Sequence, residues 1–483
     1  MKRNLSLLLL ISMLASLAAC GGTDAPVSSD TTAADTTEPV VETDYLETIV
    51  TDKYNGKTLR IFDANDHPEM HINVALDEQN GDLVNDALFD RDRLMEETFG
   101  ITVEYTESPG TAKAKDACRQ LDQAVLAGDD SWDFVISCLL GGALTTSATS
   151  GTLYNLLDVD SLHLNESHWS SLLYDSFRLN DIMYFSTGDI SPAMYQGVWV
   201  TFANTRLMDE YKIDADALMQ QVLDGKWTLD ALFSLTKDLF ADKNDDGVMH
   251  IEEDFFGYSF HTNHKHLLDS AAVRTVILND KKDGFELNFN DEHNVSVVEK
   301  LKTNYVSWTN TSNANEGPKQ AFKNARSIFY THPIEVAMSH LRDMKDDYII
   351  LPIPKANEAQ ESYISTYSGW ISSYTSIPLT ADAEFAGTMM EAMAYIGRRD
   401  IRPKAYDLAY KQKAVRDERS AQILDLCFDS AYIDFNSIFD FGGSYAITAN
   451  ASVGNGELIS GLAGVKSATE ADIEEFIKSW NQE

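Results

Sequence analysis

The chain has 483 residues, room for two or three domains at the usual size of roughly 100–200 residues. Asp plus Glu number 76 against 38 Lys plus Arg, and the resulting charge of −38 repels phosphate backbones and anionic headgroups, which argues against nucleic-acid and polybasic membrane binding. Hydrophobic residues at 44% and aromatics at 10% exclude a disordered acidic polymer, and only four cysteines exclude a disulfide-framed scaffold.

At the N-terminus, Lys2 and Arg3 precede an apolar run from Leu5 to Leu14. That run is too short to span a bilayer, which takes about 20 residues. Leu17-Ala18-Ala19-Cys20-Gly21 follows and resembles the bacterial lipobox, in which a peptidase cuts before the cysteine and the thiol carries diacylglycerol. Residues 1–19 are therefore expected to be a signal peptide and Cys20 the lipidated residue; the alternative is an ordinary secretion signal with an incidental cysteine. Residues 21–44 contain no Lys, Arg or aromatic residue and are punctuated by Pro26 and Pro39. Such a segment cannot bury enough apolar surface to fold, so 20–44 reads as an acidic tether and the body begins near Tyr45.

The body alternates between strand and helix patterns. Lys57–Asp63 reads as a strand. Asp82 is placed to cap a helix with apolar positions at Leu83, Val84, Ala87, Leu88, Leu94 and Met95, closed by Gly100. Ile101–Thr106 alternates like a second strand, Ala112–Leu126 is a helix, and Trp132–Cys138 is a buried strand ending at Gly141-Gly142. This order implies a parallel sheet with ligand loops at the carboxyl ends of its strands. The pattern then restarts. Strands are expected at Met183–Ser186, Gly197–Phe202, Gly257–Phe260, 326–331, 348–352 and Ser372–Ile377. Helices are expected at 204–212, 214–223, 229–241 capped by Thr228, 294–308, 318–323, from Pro333 onward, and at 381–397, 417–429 and 469–481. Two α/β halves, each near 200 residues, are the economical reading.

Residues 242–253 fill the spacing D-x-N-x-D-G-x5-E. Asp242, Asn244, Asp246, the Val248 carbonyl, His250 through water and a bidentate Glu253 would surround one calcium ion, with Gly247 allowing the sharp turn. With no second loop of this kind, the expectation is one structural ion rather than a switch; the alternative is a solvated acidic loop.

The lipobox, the tether, the two α/β halves, GKWTLDALFSLTKDLFADKNDDG at 225–247, Tyr348–Lys355 and Ala414–Cys427 together resemble the family 1 extracellular solute-binding proteins, the sugar-binding lipoproteins of ATP-driven importers. The resemblance covers nearly all of 45–483 and rests more on the order of the segments than on any one. It implies a two-lobed, periplasmic-binding-protein-like (type II) clamshell whose discontinuous lobes are joined by hinge strands: 45–190 plus about 371–430, and 191–370 plus about 431–483. It also implies a non-enzymatic, monomeric receptor on the outer face of the bacterial cytoplasmic membrane, held there only by lipid. It would capture a carbohydrate or similar small solute for permease subunits served by a separate ATPase.

In such a binder the cleft residues lie just after strands that point at the hinge. The candidates are Asp63, Asn65, Ser137, Tyr195, Trp199, His261, Asn263, His332, Tyr367 and Trp370, with aromatic rings for sugar faces and polar groups for hydroxyls. The His67–His71 and His261–His266 groupings lack the spacing of a zinc site. Cys118, Cys138 and Cys427 read as buried small residues, with a Cys118–Cys138 bridge as the alternative. There is no G-x-S-x-G or H-E-x-x-H. A glycan-binding adhesin without a transporter, or a glycoside hydrolase with a carboxylate pair, are the competing functions.

Overall fold

The computed structural model describes residues 44–65, 72–109, 113–260, 265–304, 316–409 and 418–482. Cys20, the tether up to residue 43, His261, Asn263, His67 and His71 lie outside the described residues.

Two sheets organise the body. The first has the strands Thr58–Asp63, Thr102–Glu107, Phe134–Ser137 and Tyr374–Ser376. Thr58–Asp63 pairs in parallel with both Thr102–Glu107 and Phe134–Ser137, as the strand–helix–strand pattern requires, while Tyr374–Ser376 returns antiparallel along Phe134–Ser137. Helix Leu83–Phe99 starts where Asp82 accepts the Val84 and Asn85 amides and stops at Gly100, whose φ of 65° is the left-handed cap. Ala87, Leu88, Met95 and Phe99 form its buried stripe. Thr102–Glu107 is an edge strand with Glu104 and Glu107, a composition that discourages pairing with another chain.

The second sheet is mixed, in the order Tyr348–Leu351, Trp199–Asn204, Ser327–Pro333, Phe255–Phe260, Phe240–Ala241. Only Phe255–Phe260 and Ser327–Pro333 pair in parallel. Trp199–Asn204, Phe255–Phe260, Ser327–Pro333 and Tyr348–Leu351 are buried at every residue, which is why they read as continuous apolar runs rather than alternating ones.

Several expected elements differ. Met183–Ser186 is not a strand; Ser186 makes one isolated bridge to Thr375. The helix capped by Thr228 ends at Thr236, because Phe240–Ala241 pairs with Phe255–Phe256 and takes the backbone out of the helix. Pro333 ends a strand opposite Trp199, and the short helix is Glu335–Met338. The C-terminal helix runs from Leu458 to Trp480, and helices Phe435–Phe439 and Ser444–Ser452, which had no clear periodic signal, precede it. Trp480 packs against Phe185 and Phe435, and Tyr184 Oη donates to its carbonyl at 2.6 Å, so this last helix ties onto the segment that leaves the first sheet.

The chain passes from one sheet to the other between Ser186 and Trp199 and returns between Leu351 and Tyr374. The passing segments are bonded together: Val198 bridges Tyr367, Ser368 N–H donates to Gly197 O at 2.7 Å, and Ser365–Thr366 pairs in parallel with Ala431–Tyr432. Gly197 is required sterically, since a Cβ there would land on Ser372 Oγ.

Candidate functional site

A cavity of about 1080 Å³ lies against these crossing segments and is walled by both halves of the body. From the first half come Ile72, Lys113, Leu140 and Trp370; from the second come Trp199, His266, Asp269, Lys319, His332 and Glu335; Ile438 and Tyr445 close it from the C-terminal helices.

Trp370 is the open aromatic face, with 41% of its surface exposed. The sequence Gly141-Gly142 makes its seat. Both glycines have φ above 70°, and a Cβ on Gly141 would come within 2.9 Å of the Trp370 ring. The Gly369 carbonyl accepts the amides of Leu139 and Leu140 at 3.1 Å each, fixing the base of the tryptophan to that loop. Trp199 is different. It opens its strand, is only 6% exposed, and stacks on His266 with centroids 4.6 Å apart and planes 8° apart. His332 follows on the paired strand, 6.0 Å from the Trp199 ring. Its Nδ1 lies 3.1 Å from Pro333 O and 3.3 Å from Glu335 Oε1, both acceptors, so Nδ1 carries the hydrogen.

Two carboxylates line the wall. Asp269 accepts the Tyr445 hydroxyl at 2.8 Å on each oxygen and has Arg274 at 4.0 Å. Burial pushes its pKa up to about 7, against the opposing pull of Arg274. Burial also raises Glu335, which accepts Ser339 Oγ at 2.9 Å. Lys265 sits 4.3 Å from the Tyr445 ring centroid.

Of the residues picked from sequence, Trp199, His332, Tyr367 and Trp370 meet at the cavity. Asp63, Asn65 and Ser137 do not. They are fully buried behind the wall, where Asn65 Nδ2 donates to Asp63 Oδ1 and Ser373 Oγ, and Ser137 Oγ donates to Ala64 O. These bonds lock the ends of the first-sheet strands, which is the reason polar residues stand there. Tyr195 also turns away, edge-on to Phe428 at 5.8 Å in a separate apolar crevice. Asp269, Lys319, Glu335 and Tyr445 escaped the sequence reading because no local pattern distinguishes them. Lys265 and His266 carried a signal, the strand end after Phe260, that pointed instead to their neighbours His261 and Asn263.

The 242–253 loop is closed by its own side chains and a turn at Gly247. Asp242 accepts the amides of Asp245 and Gly247 at 2.7 Å, and Gly247 has a φ of 81°. Asn244 Nδ2 reaches Asp246 Oδ2 at 3.0 Å and Glu253 Oε2 at 2.5 Å. Asp254 closes the loop base by accepting the amides of Lys243 and His250. Among the described residues, no three His, Cys, Asp or Glu side chains converge closely enough to hold a metal as they stand. The loop brings two carboxylates and one amide to a point.

Cys118, Cys138 and Cys427 are buried thiols outside any disulfide, so the Cys118–Cys138 bridge does not form. Burial pushes the Cys118 thiol up to about 12, the state of an inert packing residue.

Two sheets, two crossings of the chain between them and a cavity between the halves define a two-lobed α/β fold. Solved structures share it. The cyclo/maltodextrin-binding protein complexed with maltotetraose has a TM-score of 0.56 at 11% identity, covering 88% of this chain and 99% of that one. The cyclic α-maltosyl-1,6-maltose binding protein from Arthrobacter globiformis has 0.55 at 10%, covering 89% and 100%. An ABC substrate-binding protein from Listeria monocytogenes in complex with cycloalternan has 0.51 at 12%, covering 87% and 99%. No protein-family model matches the chain, and no curated protein matches it in sequence. At these identities the likeness establishes the fold, and these neighbours are binding proteins rather than enzymes.

Proposed function

We propose that this chain is the solute-capturing component of an ATP-driven importer, closing two lobes on an oligosaccharide and passing it to membrane permease subunits that work with a separate ATPase. The observation that carries this is the cavity of about 1080 Å³ with the exposed Trp370 ring on one wall and polar groups of the other half facing it. Small-molecule clefts run to about 300–1,000 Å³, so this one suits several sugar rings. Aromatic faces cover sugar C–H surfaces, and His332 and Gln196 offer hydrogen bonds to hydroxyls. The neighbours named with maltotetraose and cycloalternan support the same class of solute.

The test uses the soluble body, 45–483, screened by melting temperature against maltotetraose and a glycan panel, with scattering on every hit. Binding with compaction and no product release supports capture. Cleaved product points to a hydrolase, and binding without compaction points to an adhesin.

The same reading includes a lipid on Cys20 that anchors a monomer to the outer face of the cytoplasmic membrane, supported by the small residues abutting that cysteine. It also includes one structural calcium ion in the 242–253 loop. Asn244 Nδ2 now stands between Asp246 and Glu253, a donor where two carboxylates need positive charge. An ion there would take that place, with the amide turned to present its oxygen.

A further inference from the structure

We infer that the last helix, Leu458–Trp480, is a strut seated at one end on each half of the body. It keeps the halves joined along one side of the cleft and makes its aromatic seat the pivot about which the cleft opens. This goes beyond the capture of a solute proposed above and does not depend on which solute is taken.

The helix has 23 residues and so reaches about 35 Å at 1.5 Å per residue, long enough to cross from one half to the other. Its N-terminal end belongs to the second half. There Lys302 Nζ meets Glu457 at 3.1 Å, and Lys300 on the same helix, Glu292–Asn304, reaches Asp230 at 2.6 Å. Its C-terminal end belongs to the first half. The Trp480 ring is fully buried against Tyr184 and Phe185, with centroids 4.9 and 6.1 Å apart. Tyr184 Oη donates to the Trp480 carbonyl at 2.6 Å, and Asn180 Nδ2 donates to Asn481 Oδ1 at 3.0 Å. A further tie runs from the hairpin of strands Val276–Leu278 and Phe285–Leu287 in the second half. At its turn the Lys282 carbonyl accepts the Asn180 amide at 2.7 Å, and Lys282 Nζ meets Asp175 at 3.2 Å.

The two seats differ in kind. Toward the second half, the C-terminal segment is fixed by directional polar bonds at the cleft wall. Arg274 Nε meets Asp434 at 2.8 Å, Asn436 Nδ2 donates to Thr275 Oγ1 at 3.1 Å, and Tyr445 Oη donates to Asp269 at 2.8 Å. Toward the first half the contact is mostly ring on ring, with Phe435 4.6 Å from Phe177 beside the Trp480 cluster. Apolar contact is non-directional and tolerates small sliding, whereas polar pairs lose their geometry when shifted. A shear at the rings therefore leaves the C-terminal helices riding with the second half. Ile438 and Tyr445 then move with that wall of the cavity.

The experiment is calorimetric melting and small-angle scattering of the unliganded 45–483 body. The wild type should melt in one transition, with calorimetric and van't Hoff enthalpies in a ratio of about 1. Trp480→Leu shrinks the seat and should broaden or split the transition, raising that ratio toward about 2, with an increase in the radius of gyration. Trp227→Leu is the control, since Trp227 is as deeply buried but packs within the second half, beside Phe329 and donating to the Pro352 carbonyl. It should lower the melting temperature while the transition stays single and the radius unchanged. If Trp480→Leu does not fold, Tyr184→Phe combined with Asn180→Ala removes only side-chain hydrogen bonds at the seat and should show the same loosening in smaller measure. A wild type that already melts in two steps overturns the strut, as does a single transition or an unchanged radius in the loosened seat, or the same splitting in Trp227→Leu. No ligand enters the measurement, so solute capture stands or falls separately by its own screen.

Discussion

Replacing the two cleft tryptophans separates recognition from packing. Trp370 leaves 41% of its surface open, and for a tryptophan that is about 100 Å² of ring available to a ligand. At about 25 cal/mol per Å², full coverage contributes about 2.5 kcal/mol and coverage of one face about half that. Trp370→Ala should therefore weaken oligosaccharide binding roughly ten- to fiftyfold, with a small change in melting because much of the ring is already in water. Trp199 is 6% exposed and sandwiched by His266, so Trp199→Ala leaves a cavity in the wall and should cost about 3–5 kcal/mol of stability as well as affinity. Calorimetry with the best ligand of the glycan screen, beside thermal melts of both variants, reads the two effects. Wild-type affinity in Trp370→Ala would sink the assignment of that ring to the solute, and equal melting losses in the two variants would sink the distinction between open and packed rings.

Glu391 is buried, a setting that by itself raises a carboxyl, yet hydrogen bonds from His168, Trp169 and Tyr45 bring it down to about 2. A depressed acid stabilises the fold above its unfolded value near 4.5, on the order of 3 kcal/mol, and loses that as pH falls toward 2. Glu391→Gln should lower the melting point at pH 7 and flatten the acid limb of stability; an unchanged limb argues against this anchor. Chelation should lower the melting temperature of the wild type, by about 2.7 kcal/mol of lost stabilisation if calcium was at a hundredfold excess over Kd, and Glu253→Gln should abolish that response. Identical melts with calcium and chelator mean a solvated loop. Gly197→Ala drives a methyl into Ser372 at the crossing segments and should destabilise by about 1–3 kcal/mol, measured by denaturant titration. Cys20→Ala should abolish membrane fractionation of the processed protein, and continued fractionation as a mature lipoprotein would contradict lipidation there.

The sequence determined what depends on near neighbours along the chain. Asp82 and Gly100 bound their helix, Thr228 caps Leu229–Thr236, and the 242–253 loop turns at Gly247, because caps, periodicity and positive φ act within a few residues. The parallel pairing of the first sheet was legible for the same reason, since connecting helices leave adjacent strands few other arrangements. Trp199, His332, Tyr367 and Trp370 line the cavity because they stand at strand ends and near the crossings, which is where the chain order places them. Only the tertiary structure decided the rest. Phe240–Ala241 left its helix for a strand partner distant in the chain, and Asp63, Asn65 and Ser137 turned inward to bond strand ends rather than a solute. The cavity itself draws on residues from Ile72 to Tyr445, and no local pattern encodes which lysines or carboxylates meet across it. Burial raises the Asp269 and Glu335 carboxyls, and burial is a property of the packed chain.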